Sequence, residues 1–239
     1  MSAPLLKVEH LEVRYGDLIG VSDVSFDVPE GSVVALLGSN GGGKTTVLNA
    51  IAGLIPAHAG SIELRGRAVT GKSAFSIVRE GLALSPEGWR LFVRQSVENN
   101  LKLGAHPLRD KKRAGVLLDR VYDIFPKLAE RRHQRAGTMS GGERQMLAVG
   151  RALMSDPKLL MLDEPSLGLA PAVVETMYET FGRLHQEGLT LLLAEQSIEL
   201  ALEVADFATV LQIGKSVLSG KASDLANDPQ VQKAYLGIG

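Results

Sequence analysis

Apolar residues in this chain cluster in two ways, as short unbroken runs and as helical stripes. Val33-Val34-Ala35-Leu36-Leu37, Leu159–Leu162 and Thr190–Ala194 are continuous, the pattern of strands buried on both faces. The first 65 residues add further β-like runs separated by turns, at Leu5–Val13, Val24–Val28 and Ser61–Leu64. From about 95 to 155 the chain reads as mostly helical, with charged stretches at Arg109–Arg113 and Glu130–Arg135 that predict solvated helix faces. Helices are also predicted over Ala172–Gln186 and Ile198–Val204, and a hairpin over Phe207–Ile213 and Ser216–Leu218 around Gly214-Lys215. Strands alternating with helices predict an α/β fold with a mainly parallel core sheet. An antiparallel β region at the front and a helical insert complete it.

Composition changes this picture mostly by exclusion. With 26 basic and 27 acidic residues the net charge is −1, so there is no electrostatic case for nucleic acid as a partner. No cysteine is present, which removes disulfides, thiolate zinc sites and redox chemistry, and the five histidines include no H-x-x-x-H pair. At 239 residues the chain is long enough to bury roughly 70–75% of its unfolded surface. No apolar run approaches the roughly 20 residues needed to cross a bilayer. Met1-Ser2-Ala3-Pro4 lacks a basic region leading into an apolar one, so the expectation is a cytoplasmic protein. Service to a membrane process would require docking onto subunits that span it.

Two motifs carry chemistry. Gly38-Ser39-Asn40-Gly41-Gly42-Gly43-Lys44-Thr45 fits G-x-x-x-x-G-K-[ST] and joins a predicted strand to a predicted helix. Its glycines let backbone N–H groups turn toward phosphates, Lys44 adds a charge for the β- and γ-phosphates, and the Thr45 hydroxyl is suited to Mg²⁺. Leu159-Leu160-Met161-Leu162-Asp163-Glu164 delivers two carboxylates to the end of a buried strand, where α/β sheets bind ligands. Asp163 is expected to hold Mg²⁺ and Glu164 to take a proton from an attacking water. Between them lies Ser140-Gly141-Gly142-Glu143-Arg144-Gln145, a hydroxyl and unhindered N–H groups at a predicted helix start, suited to a terminal phosphate.

In this order and spacing the three motifs resemble the ATP-binding subunits of ABC transporters, and the resemblance covers essentially the whole chain. It implies a P-loop NTPase fold: one nucleotide-binding domain over residues 5–236, with a β and phosphate-loop core at about 5–90 and 156–236 and a helical subdomain at about 91–155. It implies that Tyr15 stacks on adenine, that Thr46 joins the phosphate-binding set, and that Ser85–Phe92 senses the γ-phosphate and faces membrane subunits. Trp89 and Phe92 would then help to seat a membrane-subunit helix. Three positions depart from the general pattern. Glu87 replaces a Gln and can bind Mg²⁺ or water, Ala170 replaces an Asp, and Gln196 replaces the switch His. Pro86-Glu87-Gly88, Ser166–Pro171 and Ala194–Ser197 together resemble one subgroup, the LivF type of branched-chain amino-acid importers.

The resemblance further implies ATP and Mg²⁺ as ligands and a head-to-tail pairing with a second ATP-binding subunit. In that pairing Ser140, Gly141 and Gly142 cap the nucleotide on the partner's phosphate loop. Two transmembrane permease subunits and, indirectly, a solute-binding protein complete the assembly at the cytoplasmic face of the membrane. The alternatives are an exporter's nucleotide-binding subunit or a soluble ABC ATPase of DNA repair or translation.

Overall fold

The computed structural model describes residues 3–226 together with 228, 229 and 231, so the expected domain end at 236 lies outside the described residues. The chain opens with a hairpin of β1 (Leu6–Tyr15) and β2 (Leu18–Val28), then β3 (Val33–Gly38), α1 (Lys44–Ile51), β4 (Ala59–Leu64) and β5 (Arg67–Ala68). Next come α2 (Ala74–Arg79), β6 (Leu82–Ser85), α3 (Val97–Gly104), α4 (Lys111–Ile124), α5 (Pro126–Glu130) and α6 (Gly141–Leu153). The second half runs β7 (Leu159–Asp163), α7 (Pro171–Gln186), β8 (Thr190–Glu195), α8 (Ile198–Val204), β9 (Phe207–Gln212), β10 (Lys215–Lys221) and α9 (Ala222–Leu225).

All ten strands join in the order β5-β4-β1-β2-β10-β9-β3-β8-β7-β6. Five neighbours, β9 to β6, are parallel, and β3 sits between β8 and β9 with every residue buried. β1 pairs antiparallel with both β2 and β4, and its alternating burial marks one covered face. The fold is therefore α/β, with a parallel core and an antiparallel β region.

Three apolar clusters cover this sheet. The antiparallel strands close over α1 through Val47, Leu48 and Ile51. The other side of the parallel strands receives α3, α4, α6 and α7, through residues such as Leu101, Val121, Leu147 and Phe181. Leu117, Val121 and Ile124 lie three and four apart, so α4 turns one stripe inward and leaves the rest to solvent. A smaller cluster packs α8 on β3 and β9 through Ala201, Leu37 and Val210. Arg109–Arg113 is exposed throughout, as expected of a solvated face, and Arg113 makes a two-pronged surface bond to Asp156.

The β1–β2 turn, β5, α2, β6 and α9 are not anticipated by the apolar pattern. β2 begins six residues before Val24, because Gly16 and Asp17 form a two-residue turn that reverses the chain. That reversal returns Ile19 and Gly20 to the phosphate loop.

Candidate functional site

β3 ends at Gly38, and the next five residues wrap around the start of α1. Gly41 and Gly43 have φ of 78° and 102°, a left-handed backbone that side-chain-bearing residues rarely adopt. Lys44 is buried, and its Nζ donates to the carbonyls of Gly38 at 2.8 Å and Ser39 at 3.2 Å. The same ammonium lies 2.9 Å from Glu164 Oε1, and both side chains are almost inaccessible. Thr45 Oγ1 donates to Asp163 Oδ1 at 3.1 Å, joining α1 to the end of β7.

Parallel pairing sets this geometry. β7 pairs with β8 through Asp163 and Ala194, and the Glu164 N–H then donates to the Ala194 carbonyl at 2.9 Å. Glu164 has a φ of 49°, so the chain turns sharply after Asp163, and the two carboxylates meet the adjacent residues Thr45 and Lys44. Burial pushes the Asp163 carboxyl up to about 6. The charges of Glu87 and Glu164 push the same way, while the Thr45 hydroxyl and the Glu87 N–H hold it down. Glu164 Oε2 is buried and has no hydrogen-bond partner, an orphan acceptor beside the lysine.

A cleft of about 450 Å³ opens over these groups. It is lined by Asn40–Thr46, Glu87, Glu164 and Leu167, together with Ile19 and Gly20 from β2. Tyr15 flanks it: its hydroxyl lies 3.2 Å from Thr46 Oγ1 and its ring lies against Gly20, where an added Cβ would meet the ring at 2.9 Å. About half of Tyr15 remains exposed.

Two expected residue sets stand apart from this cleft. Gln196 follows β8, is exposed, and is not among the lining residues. Ser140, Gly141 and Gly142 begin α6 and are also absent from the lining. Ser140 caps α6 by accepting from the Glu143 N–H at 3.3 Å, while Glu143 Oε2 accepts from the Ser140 N–H at 2.9 Å. Glu143 is further held by Arg131 at 2.8 Å. Gly142 packs so closely on α7 that a Cβ there would meet Val173 Cγ1 at 2.6 Å.

The loop after β6 has its own support. Trp89 and Arg90 have φ of 62° and 47°, and Arg151 of α6 donates to both of their carbonyls, at 3.0 and 2.7 Å. Arg144 lies over the Trp89 ring at 5.5 Å. The apolar pattern also gives no notice of Arg151, or of the buried Glu195 at the end of β8.

A phosphate loop, a lysine and two carboxylates at parallel strand ends make a nucleotide site. The ABC transporter family model matches residues 21–167, more than half of the chain. This chain is an ABC transporter family protein. The ABC ATPase activity of the family comes with that membership, as does ATP as its nucleotide. Among curated relatives of this ABC protein, the branched-chain amino acid transport ATP-binding protein BraG of Pseudomonas aeruginosa is 46% identical over 98% of this chain and all of the relative. The probable LivF of Archaeoglobus fulgidus is 36% identical over 98% of this chain and 99% of its own. Among solved structures, the ADP conformation of an ABC transporter's ATP-binding cassette superposes with a TM-score of 0.87 over 99% of this chain and 100% of that one, at 24% identity.

Proposed function

We propose that this chain is the ATP-hydrolysing subunit of an ABC importer for branched-chain amino acids or related small amino acids and amides. The observation that carries this reading is the end-to-end 46% identity with BraG. The nucleotide-binding domain spans residues 5–236, with the helical subdomain at about 91–155. The partners are a second ATP-binding subunit, two permease subunits and, indirectly, a solute-binding protein. Among the described residues no helix is long and apolar enough to cross a membrane. In the proposed assembly the chain sits at the cytoplasmic face, attached through the permeases.

In the proposed reaction, water attacks the γ-phosphate in line. The loop from Gly38 through Gly43, with Lys44, Thr45 and Thr46, binds the phosphates through N–H groups and the ammonium. Glu164 accepts a hydrogen bond from the water and takes its proton, and Tyr15 stacks on the base. Gln196 and Glu87 contact the γ-phosphate side, and Gln196 differs from a histidine in never becoming cationic near neutral pH. Ser140, Gly141 and Gly142 serve the nucleotide on the partner's phosphate loop.

Mg²⁺ fits the donor set. Thr45, Asp163 and Glu87 offer hard oxygens, and Asp163 is buried and repelled by two carboxylates, a charge that a nearby cation relieves. When bound, the ion neutralises charge on the β- and γ-phosphate oxygens.

The reading is tested by reconstituting the chain with its permeases in vesicles. ATP-driven uptake of leucine, isoleucine or valine is expected, and uptake is lost with Glu164→Gln. Uptake of none of these, beside intact ATP turnover, overturns the substrate assignment.

A further inference from the structure

Glu195 closes β8 with a side chain that is 1% exposed, and none of the roles assigned above uses it. Its Oε1 accepts from the Ser166 N–H at 3.1 Å and from the Tyr178 hydroxyl at 2.9 Å. Its Oε2 accepts from the Gln196 N–H at 3.2 Å. One carboxylate thus joins the loop that follows Glu164, helix α7 and the residue that follows β8. Directly beside it, the Glu164 N–H is tied to the Ala194 carbonyl.

We propose that Glu195 is a positioning residue for ATP hydrolysis, fixing Ser166 and Gln196 relative to Glu164; this rests on the ATPase assignment above. The chemistry calls for a carboxylate because both of its oxygens only accept. Ser166 and Gln196 each present a backbone N–H, on opposite oxygens. A glutamine at 195 has one acceptor oxygen and one NH₂, so one of those N–H groups would face another donor. Tyr178 is held as the donor in its pair, since burial and the Glu195 charge both push its ionisation up. Burial likewise favours a proton on Glu195, opposed by the bonds from Ser166 and Tyr178.

The arrangement makes Ser166 and Gln196 depend on the same group. Ser166 leads into Leu167, which lines the nucleotide cleft. The Leu167 N–H donates back to the Glu164 carbonyl at 3.1 Å, so this turn carries both the proposed base and the cleft wall. Loosening Glu195 therefore disturbs the proposed base and the γ-phosphate contact together, and leaves the phosphate loop untouched.

The test is steady-state ATP turnover by the full chain in its assembled complex, with Glu195→Gln, Tyr178→Phe and Gln196→Ala each alone, and each of the first two combined with Gln196→Ala. Glu195→Gln is expected to lower kcat by roughly 10- to 100-fold, the scale of losses when a supporting group is removed. KM for ATP should stay within about twofold, because ground-state binding is unchanged. Adding Gln196→Ala should cost little more, as expected when two changes act through one arrangement. Tyr178→Phe keeps the ring in the core, so it should lower kcat less, with the same non-additivity, and it serves if Glu195→Gln fails to fold. Unchanged kcat per folded molecule beside a lower Tm, a rise in KM alone, or fully additive losses would overturn the proposal. Turnover in a parallel Glu164→Gln control would instead sink the assignment of the base.

Discussion

Lys44 Nζ and Glu164 Oε1 stand 2.9 Å apart in a buried pair, so the proposed phosphate ligand and the proposed base are in direct contact. A phosphate placed at Lys44 would compete with this carboxylate for the ammonium. Glu164→Gln should cut turnover by roughly 10²–10⁴-fold, the usual loss of a general base. Relieved of a charged competitor, Lys44 should then bind ATP more tightly, on the order of 3- to 10-fold. Equilibrium titration with ATP measures this. Weaker binding in the variant would show that the pair does not compete with phosphate.

Asp163 gives a pH signature. Its carboxyl, raised by burial to about 6, keeps its proton to a higher pH in the fold than in the unfolded chain. Its stabilising contribution is therefore complete below the unfolded value near 3.8 and is lost as pH rises through 6. Without divalent cation, the wild type should lose stability relative to Asp163→Asn over this window, by on the order of 3 kcal/mol. Urea unfolding of both chains at a series of pH values reports the difference. Parallel stability curves would mean that Asp163 titrates normally.

Gly142 tests the contact between α6 and α7 independently of nucleotide. A methyl group there runs into Val173, and Gly142→Ala should destabilise the chain by about 1–3 kcal/mol, the cost of overpacking. Val173→Ala in the same chain should restore most of the loss. If the double variant is no more stable than Gly142→Ala alone, the close approach is not the cause.

Gln196 bears on rate. An amide donates to the γ-phosphate without adding charge, and an imidazolium would add it. Gln196→His should raise ATP turnover of the assembled complex by roughly 2- to 10-fold, a gain of about 1 kcal/mol in the barrier. The measurement is kcat in reconstituted vesicles; an unchanged or lower value counts against the idea.

The core of the site was legible because its chemistry is local. A glycine loop, Lys44 and Thr45 are neighbours in sequence, and Asp163-Glu164 closes an apolar run that can only be a buried strand. Gly20 was not legible, because its place depends on a two-residue turn at Gly16-Asp17 that carries no apolar signal. β6 was hidden for a different reason: four residues preceded by a short helix leave too little pattern to separate strand from loop. Glu195 reads in sequence as one more acid at a strand end. Only its register in β8, opposite the turn after Glu164, brings Ser166, Tyr178 and Gln196 onto one carboxylate.

Arg151 sits near the far end of the helix that Ser140 begins, and it holds the two left-handed residues Trp89 and Arg90 by their carbonyls. Arg144, a turn into the same helix, covers the tryptophan ring. The loop beyond Glu87 is thus bolted to a single stiff rod at two points, with no joint in between. A shift of Trp89 therefore strains two charge-assisted bonds to the helix that Ser140 begins. In the proposed assembly, one helix would then touch both the loop that meets a permease and the cap over a second nucleotide.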